Sequence, residues 1–191
     1  DLSRDPAHRI INKGGTIALP ASSGSRRVVR LVPRLELEDG SRVAFDFESR
    51  QTLTLGDVVT SGEVNIAMAD DNLLLGGTGS RFEVTGGRTR IFGSGKYGVI
   101  FDRGGPFEID IAGGAELEFG LGRDSAGNVR LRESPGVRIV GEGLLHNRGD
   151  MTWGDDMVVE ADVQNEGWLE IFADEPEISG TLTNGPGTRN E

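Results

Sequence analysis

Adjacent acidic residues are the feature of this sequence that most directly suggests chemistry. Asp70 and Asp71 form one pair, and Asp155 and Asp156 form another. Carboxylate oxygens are the ligands that Ca²⁺ prefers, so both pairs are candidates for calcium binding. Neighbouring residues of a strand point to opposite faces, however, and the chain has 31 acidic residues, so adjacent carboxylates are expected without any metal. We therefore predict no cofactor, with calcium at these pairs as the alternative.

Residues suited to covalent or acid–base catalysis are scarce. The chain has no cysteine, which excludes disulfides, thiol catalysis and zinc–thiolate sites. It has two histidines, His8 and His146, and no Gly-x-Ser-x-Gly elbow to present a serine nucleophile. Gly93-Ser-Gly-Lys96 suggests a phosphate-binding loop, but positions 90 and 97 hold arginine and tyrosine where that motif requires glycine and serine or threonine. We therefore predict no catalytic residues and a protein that is not an enzyme.

Asparagine and glycine recur together near the end of the chain, and the asparagines are 18 and 19 residues apart. Asparagine tolerates left-handed backbone, and its side chain can bond to a neighbouring segment, so each occurrence predicts a turn. A short alternating strand follows the first two turns, and a second strand follows in each unit. The predicted structural turn residues are Asn147, Gly149, Asn165, Gly167, Asn184 and Gly185.

Both tryptophans lie on the strands that follow these turns. If exposed, Trp153 and Trp168 would stack on sugar rings, and they are therefore the candidate glycan contacts. If buried, they would fill the core beneath the turns. The two residues are 15 apart rather than 18, so they do not occupy equivalent positions of the repeat. We favour burial and keep glycan contact as the alternative.

The rest of the chain consists of short alternating or apolar runs separated by glycine-rich turns. Phe107–Ile111 and Ala115–Leu121 alternate apolar with polar residues, as half-buried strands do. Glycine, proline or β-type alternation interrupts every window long enough for a helix. The sequence therefore predicts an all-β protein, a single-stranded parallel β-helix of about ten coils, with a β-sandwich as the alternative. Residues 1–15 are predicted to form a capping segment and residues 16–191 the repeat domain, with the clearest repeats in 137–187.

Charge is strongly negative and unevenly distributed. The net charge of −11 makes nucleic acid an unfavourable partner. The sequence contains no apolar run of 18 residues, so we predict no insertion of this segment into a membrane. Residues 1–34 carry seven basic and two acidic side chains, a net of +5, whereas residues 150–191 carry one basic and eleven acidic side chains, a net of −10. Opposite charges at the two ends of a rod would steer end-to-end contact between copies of the chain.

The repeat also resembles a known class of proteins. NRGDMTWGDDMVVEADVQ, followed by NEGWLEIFADEPEISGTLTNG, is similar to the repeats of large secreted β-helical proteins of bacteria, the autotransporter passengers and filamentous-haemagglutinin-type adhesins. The resemblance covers residues 137–187. It implies a right-handed parallel β-helix that is exported to the cell surface and serves as a stalk or adhesive rod.

These observations lead to one functional prediction and one alternative. The prediction is a non-enzymatic structural or adhesive segment of an extracellular surface protein that works in spacing, adhesion or assembly. Its expected partners are a surface glycan, a protein receptor or copies of itself. The alternative is a carbohydrate-active β-helix, which would be a polysaccharide lyase, a glycoside hydrolase or a glycan-binding module.

Overall fold

The computed structural model describes residues 8–19, 27–31, 33–45, 51–68, 73–76, 79–93, 97–100, 107–123, 129–131, 137–140, 143–154, 157–172, 177–186 and 189–190. These residues form strands and turns and contain no helix, so the predicted all-β class is confirmed. Accordingly, no helix in the described part of the chain is long and apolar enough to cross a membrane.

The described residues form 23 strands. In chain order the strands are β1 (Arg9–Asn12), β2 (Thr16–Leu19), β3 (Arg27–Leu31), β4 (Arg34–Leu37), β5 (Arg42–Phe45), β6 (Gln51–Leu55), β7 (Val58–Met68), β8 (Leu73–Gly76), β9 (Arg81–Gly93), β10 (Tyr97–Ile100), β11 (Phe107–Ile111), β12 (Ala115–Phe119), β13 (Leu121–Arg123), β14 (Val129–Leu131), β15 (Val137–Val140), β16 (Gly143–Asn147), β17 (Asp150–Trp153), β18 (Val158–Val159), β19 (Asp162–Asn165), β20 (Trp168–Ile171), β21 (Glu177–Ile178), β22 (Leu182–Asn184) and β23 (Arg189–Asn190).

Parallel pairing dominates the sheets. Fourteen strands join in one sheet and seven in a second, and every strand pair described within these two sheets is parallel. The exception lies outside them, where β13 and β14 pair antiparallel as a separate hairpin. A β-sandwich is built from antiparallel sheets, so this pairing contradicts the sandwich alternative.

Each strand pairs with a strand that lies one repeat further along the sequence. Ladder one runs β1, β4, β7, β9, β11, β16, β19 and β22. Ladder two runs β2, β5, β7, β9, β12, β17, β20 and β23, and shares the long strands β7 and β9 with ladder one. Ladder three, the seven-stranded sheet, runs β3, β6, β8, β10, β15, β18 and β21.

The repeat is less regular than the asparagine spacing predicted. From residue 137 onwards the paired residues are 18 to 21 apart, as in Leu144 with Asp162 and Trp168 with Arg189. Before that point the offset varies from 21 between Thr52 and Leu73 to 40 between Tyr97 and Val137, where the β13–β14 hairpin is inserted. The expected constant step is therefore wrong for this part of the chain. Ladders one and two each hold eight described strands, and the expectation of about ten coils stays a prediction.

Apolar residues from successive strands line up in rows on the inner face. Equivalent register positions in ladder one carry residues that are at most 2% exposed, and burying such surface is the main favourable term in folding. The row in ladder one is Leu35, Val58, Phe82, Ile109, Leu145 and Val163. The matching row in ladder two includes Val43, Ile66, Ile91, Phe119 and Trp153. One strand alone could not bury these side chains, so only the stack is stable.

Glycines allow β7 and β9 to turn from ladder one into ladder two. Gly62 and Gly87 are paired across the two strands, with positive φ angles of 76° and 66°. A side chain at Gly87 would also place its Cβ 2.5 Å from the Cα of Gly62. Only glycine combines this backbone conformation with so close an approach.

The first described strand lies inside the predicted capping segment. β1 falls within residues 1–15, and it pairs in parallel with β4 as the first strand of ladder one. These residues therefore take part in the sheet. The division between a segment 1–15 and a repeat domain 16–191 stays a prediction.

Candidate functional site

The three predicted turn asparagines lie in one row at equivalent positions of ladder one. Asn147 ends β16, Asn165 ends β19 and Asn184 ends β22, and they are paired in register. Asn147 and Asn165 are fully buried, and Asn184 is exposed. Buried carboxamides must form hydrogen bonds to offset their desolvation, so their partners decide what this row contributes.

The carboxamides bond to one another from strand to strand. Asn147 Nδ2 donates to Asn165 Oδ1 at 2.7 Å, and Asn165 Nδ2 donates to Asn184 Oδ1 at 3.2 Å. Asn147 also donates to the backbone carbonyl of Trp168 at 2.7 Å and accepts from the amide of Gly149 at 3.2 Å. We call this row of Asn147, Asn165 and Asn184 the asparagine ladder. It connects side chain to side chain across three strands and closes the turn after Asn147.

The glycines beside the ladder differ in how tightly they are packed. A Cβ on Gly149 would collide with the carbonyl oxygens of Ala115 and Ala112, and one on Gly167 would collide with the carbonyl oxygen of Gly149. At Gly185 the nearest atom to such a Cβ is Glu166 Cγ at 3.2 Å. The first two glycines are therefore required by the close approach of successive turns, and the third is far less constrained.

A double-mutant cycle can measure the strength of the asparagine ladder. We expect Asn147→Ala and Asn165→Ala each to lower the free energy of unfolding by about 2 kcal/mol, because each leaves buried polar partners unpaired. We expect a coupling energy between the two positions of about 1 kcal/mol, measured by urea denaturation. Asn184→Ala, at the exposed end of the ladder, serves as the control and should cost less than either. Purely additive losses at positions 147 and 165 would contradict a bond between these side chains.

The two tryptophans occupy opposite faces of the sheet. Trp153 is fully buried in the apolar row of ladder two, between Phe119 and Ile171. On β17 the side chain of Trp153 points inward, and its full burial contradicts the prediction that it contacts a glycan. Trp168 is paired with Asp150, a residue of the outer face, and is half-buried. Of the two candidate glycan contacts, only Trp168 remains accessible.

The candidate calcium ligands cannot be compared with the structure. Asp70, Asp71, Asp155 and Asp156 lie outside the described residues. Within the described ranges, no group of three or more acidic, histidine or cysteine side chains is arranged to hold a metal ion. Calcium binding at the two aspartate pairs stays a prediction.

Arginine and glutamate side chains form a second array on the outer face of ladder two. Arg88 Nε lies 2.5 Å from Glu116 Oε2 and 3.4 Å from Glu118 Oε1. Arg90 Nε lies 2.8 Å from Glu118 Oε2, and its Nη1 lies 3.1 Å from Glu63 Oε2. The side chain of Glu118 is only 1% exposed although it points away from the apolar rows. We call these five residues the arginine–glutamate network, which links β7, β9 and β12.

The surroundings of Glu116 in the network raise its pKa. Burial raises the pKa of Glu116, the Arg88 guanidinium opposes this effect, and a hydrogen bond with Glu118 raises the pKa further. Burial works against the charge of Arg88, but its hydrogen bond to Glu116 and the charges of Glu118, Glu116 and Glu63 outweigh it and raise the pKa of Arg88. Glu116 and Glu118 share the guanidinium of Arg88, whose Nε lies 2.5 Å from one carboxylate and 3.4 Å from the other, so both acids are held in ion pairs. These ion pairs connect neighbouring strands, and the arrangement fits that structural role better than the role of a catalytic pair of acids.

The pKa of Glu116 predicts how stability depends on pH. A carboxyl whose pKa is higher in the folded state binds protons more tightly there, so stability falls as pH rises from the unfolded value, near 4.5, through the folded value. We expect ¹³C NMR titration of the Glu116 carboxyl to give a midpoint above 4.5. Glu116→Gln should remove that part of the fall in unfolding free energy. A midpoint at or below that of an unstructured peptide would contradict the prediction.

A third polar cluster surrounds His146 on the outer face of ladder one. Its Nδ1 lies 3.5 Å from Asp110 Oδ1, and its Nε2 lies 3.6 Å from Glu166 Oε1. Arg148 Nη2 donates to both oxygens of Asp110, at 2.9 and 2.7 Å. No serine or threonine hydroxyl is bonded to His146 in the described part of the chain, and the cluster again links neighbouring strands.

Sequence patterns identified the asparagine ladder but missed the arginine–glutamate network. Arg88 and Glu116 are directly opposite each other in adjacent strands, yet they are 28 residues apart in sequence. A fixed step of 19 residues would have placed them out of register. The detectable signal was the pair of alternations Arg88-Thr-Arg90 and Glu116-Leu-Glu118, whose opposite charges match only once the strands are aligned.

Comparison of the chain with protein-family models, with curated proteins and with solved structures gives no match in any of the three.

Proposed function

We propose that this chain is a non-enzymatic structural or adhesive segment of an extracellular surface protein, with its strands wound as one right-handed parallel β-helix. The order of the strands supports this winding. β1, β2 and β3 pair with β4, β5 and β6 respectively, and β16, β17 and β18 pair with β19, β20 and β21. Each set of three is one coil, and parallel crossovers of this kind are almost always right-handed.

The observation that carries the functional proposal is where the polar side chains are directed. The asparagine ladder, the arginine–glutamate network and the cluster around His146 all connect one strand to the next. A catalytic centre holds its acids and bases free to meet a substrate, whereas here they neutralise one another. Such bonding between coils resists separation of the stack, which is the property that a stalk or rod requires.

The surface location follows from the resemblance of residues 137–187 to exported bacterial β-helical repeats. Its physical support is the net charge of the chain, which is −11. A strongly charged surface keeps an elongated protein soluble and limits nonspecific association.

A glycan-array screen of the purified protein, run with and without calcium, tests the proposal. Product release from every bound glycan is followed by mass spectrometry. We expect no turnover of any glycan, and specific binding without turnover would identify the chain as adhesive. Turnover of a polysaccharide, abolished by substitution of the responsible side chain, would overturn the non-enzymatic assignment.

One specific observation favours glycan binding as the second candidate function. Trp168, Glu170 and Phe172 alternate along and just beyond β20, with Trp168 half-buried and Phe172 38% exposed. Four residues of extended chain span about 13 Å, so two aromatic rings flank a carboxylate over the length of a short oligosaccharide. Aromatic faces and a nearby acceptor are the usual elements of sugar recognition.

The second candidate has its own control. If β20 contacts a glycan, Trp168→Ala should lose at least tenfold in affinity for any glycan that the array identifies, while the protein stays folded by circular dichroism. Ile178→Ala, on a strand outside this surface, should bind as the unaltered protein does. Equal affinity of both variants would exclude β20 as the binding surface.

A further inference from the structure

β1 and β22 are the outermost described strands of ladder one and form its two edges. Among the described strands, β1 pairs only with β4, and β22 pairs only with β19. An edge strand presents unpaired backbone N–H and C=O groups, which form a template for another strand. Both edges belong to the same ladder and run in the same direction, so one can follow the other by the translation that already relates successive strands.

The two edges also carry the same arrangement of side chains. Register pairing places Ile10 in the inner apolar row that ends at Leu182. It likewise places Asn12 in the row that ends at the asparagine ladder, with Asn184. Ile10 and Ile11 are each 37% exposed. Ile10 is nevertheless in register with the row that begins at Leu35 and Val58, whose side chains are at most 2% exposed. The apolar row is therefore incomplete at this edge.

The hydrogen bonds of the asparagine ladder have a direction. Each Nδ2 donates towards the following strand, first from Asn147 to Asn165 and then from Asn165 to Asn184. The next donor is the carboxamide of Asn184, which is exposed at the edge. At the other edge, Asn12 Oδ1 accepts from the amide of Gly15 at 3.2 Å, as Asn147 Oδ1 does from Gly149. A carbonyl oxygen has two lone pairs and can accept a second hydrogen bond. Asn12 Oδ1 of a second copy can therefore accept the hydrogen bond that Asn184 Nδ2 would donate to a following strand.

Charge favours the same contact. Residues 1–34 include β1 and have a net charge of +5, and residues 150–191 include β22 and have a net charge of −10. Exposed Lys13 and Arg34 lie near the first edge, and exposed Asp162 and Glu166 lie near the second. Opposite charge on the approaching ends accelerates association, and like charge discourages the pairing of two identical ends.

We propose that copies of this chain join head to tail, with β1 of a second copy adding in parallel to β22. Leu182, Thr183 and Asn184 would then lie opposite Ile10, Ile11 and Asn12 of the second copy. The contact covers Ile10 in the inner apolar row and extends the asparagine ladder across the junction. It rests on the proposed structural function and deepens it, because it names the partner and the register of assembly. A head-to-tail contact that does not close produces a filament.

Disulfide crosslinking tests the register, because the natural chain has no cysteine. In the double variant Ile11→Cys with Thr183→Cys, mild oxidation should give a series of multimers on a non-reducing gel that disappears on reduction. Parallel neighbours lie about 4.8 Å apart, within the range that a disulfide spans. Seven strand spacings separate the two residues in one copy, about 33 Å, so a bond cannot form within a single chain.

The control variant combines Arg9→Cys with Thr183→Cys. Arg9 is on β1 and has the same strand parity as Ile11, but it is two residues out of register with Thr183, about 6.6 Å along the strand. It should give several-fold fewer multimers. Folded double variants that yield no crosslink, or equal crosslinking by both pairs, would overturn the proposed junction.

Sedimentation velocity tests the association without any crosslink. The unaltered chain should sediment as multimers at about 0.05 M salt and shift towards monomer at about 0.5 M, because screening weakens the attraction between the charged ends. Asn12→Ala should weaken association several-fold. A folded monomer at every salt concentration would overturn the assembly and leave the proposed function intact, whereas turnover in the glycan screen would overturn the function and leave the assembly intact.

Discussion

Replacing Trp153 by alanine is expected to lower the free energy of unfolding by about 3–5 kcal/mol, the largest loss that we predict for a single substitution. Trp153 is the largest fully buried side chain among the described residues, and it lies in register between Phe119 and Ile171 in ladder two. Its removal leaves a cavity in the apolar row between the preceding and the following strand of ladder two. Because the surrounding strands are tied by backbone hydrogen bonds, they can collapse only partly into that cavity.

Trp168→Ala is the matched control, since Trp168 is the other tryptophan of the chain and is half-buried on the outer face. Urea denaturation of both variants should give at least a twofold larger loss for Trp153→Ala. Trp153→Phe should cost less than alanine, because phenylalanine retains most of the ring and Trp153 Nε1 has no hydrogen-bond partner among the described residues. Equal losses for the two alanine variants would contradict the assignment of Trp153 to the inner face and Trp168 to the outer face.

Replacing Gly167 by alanine is expected to cost about 3 kcal/mol, near the upper end of what an added methyl group costs in a packed interior. The new Cβ would collide with the carbonyl oxygen of Gly149 and come within 2.9 Å of the carbonyl carbon of Arg148. These are backbone atoms of the preceding turn, so no side chain can rotate away to relieve the collision. The turn itself would have to move, and Trp168, whose amide bonds to the carbonyl of Gly149 at 2.9 Å, would move with it.

Gly185→Ala is the matched control for this substitution. It changes the third turn of the same repeat, where the nearest atom is the flexible Glu166 side chain at 3.2 Å. Thermal unfolding should show a clear decrease in midpoint for Gly167→Ala and little change for Gly185→Ala. A decrease of the same size in both variants would mean that the loss arises from the turn conformation and not from contact between successive turns.

The fold class and the ladder asparagines could be predicted because the signals for them are local. Alternation of apolar and polar residues indicates strands wherever it occurs, and Asn-x-Gly indicates a turn without reference to the rest of the chain. The constant step failed for a related reason. The β13–β14 hairpin interrupts the chain between β12 and β15, and a pattern found in residues 137–187 contains no information about that insertion.

The faces of individual residues could not be predicted with the same success. A strand has two faces, and a shift of one residue in register exchanges them. Trp153 and Trp168 both follow an Asn-x-Gly turn, but Trp153 is four residues beyond Gly149 and Trp168 is one beyond Gly167, so they have opposite parity in their strands. The spacing of 15 showed that they were not equivalent. It did not show which one was buried.

The sequence by itself determined that this chain is all-β, that it turns at regularly placed asparagines, and that its two ends carry opposite charge. These properties depend on residue type and short spacing, which a single chain shows directly. Only the tertiary structure decided that Asn147, Asn165 and Asn184 bond in one ladder and that Arg88 and Arg90 enclose Glu118. The reason is physical: in a parallel sheet each residue faces one that lies a full repeat away, and the length of that repeat is set by the turns and insertions between strands.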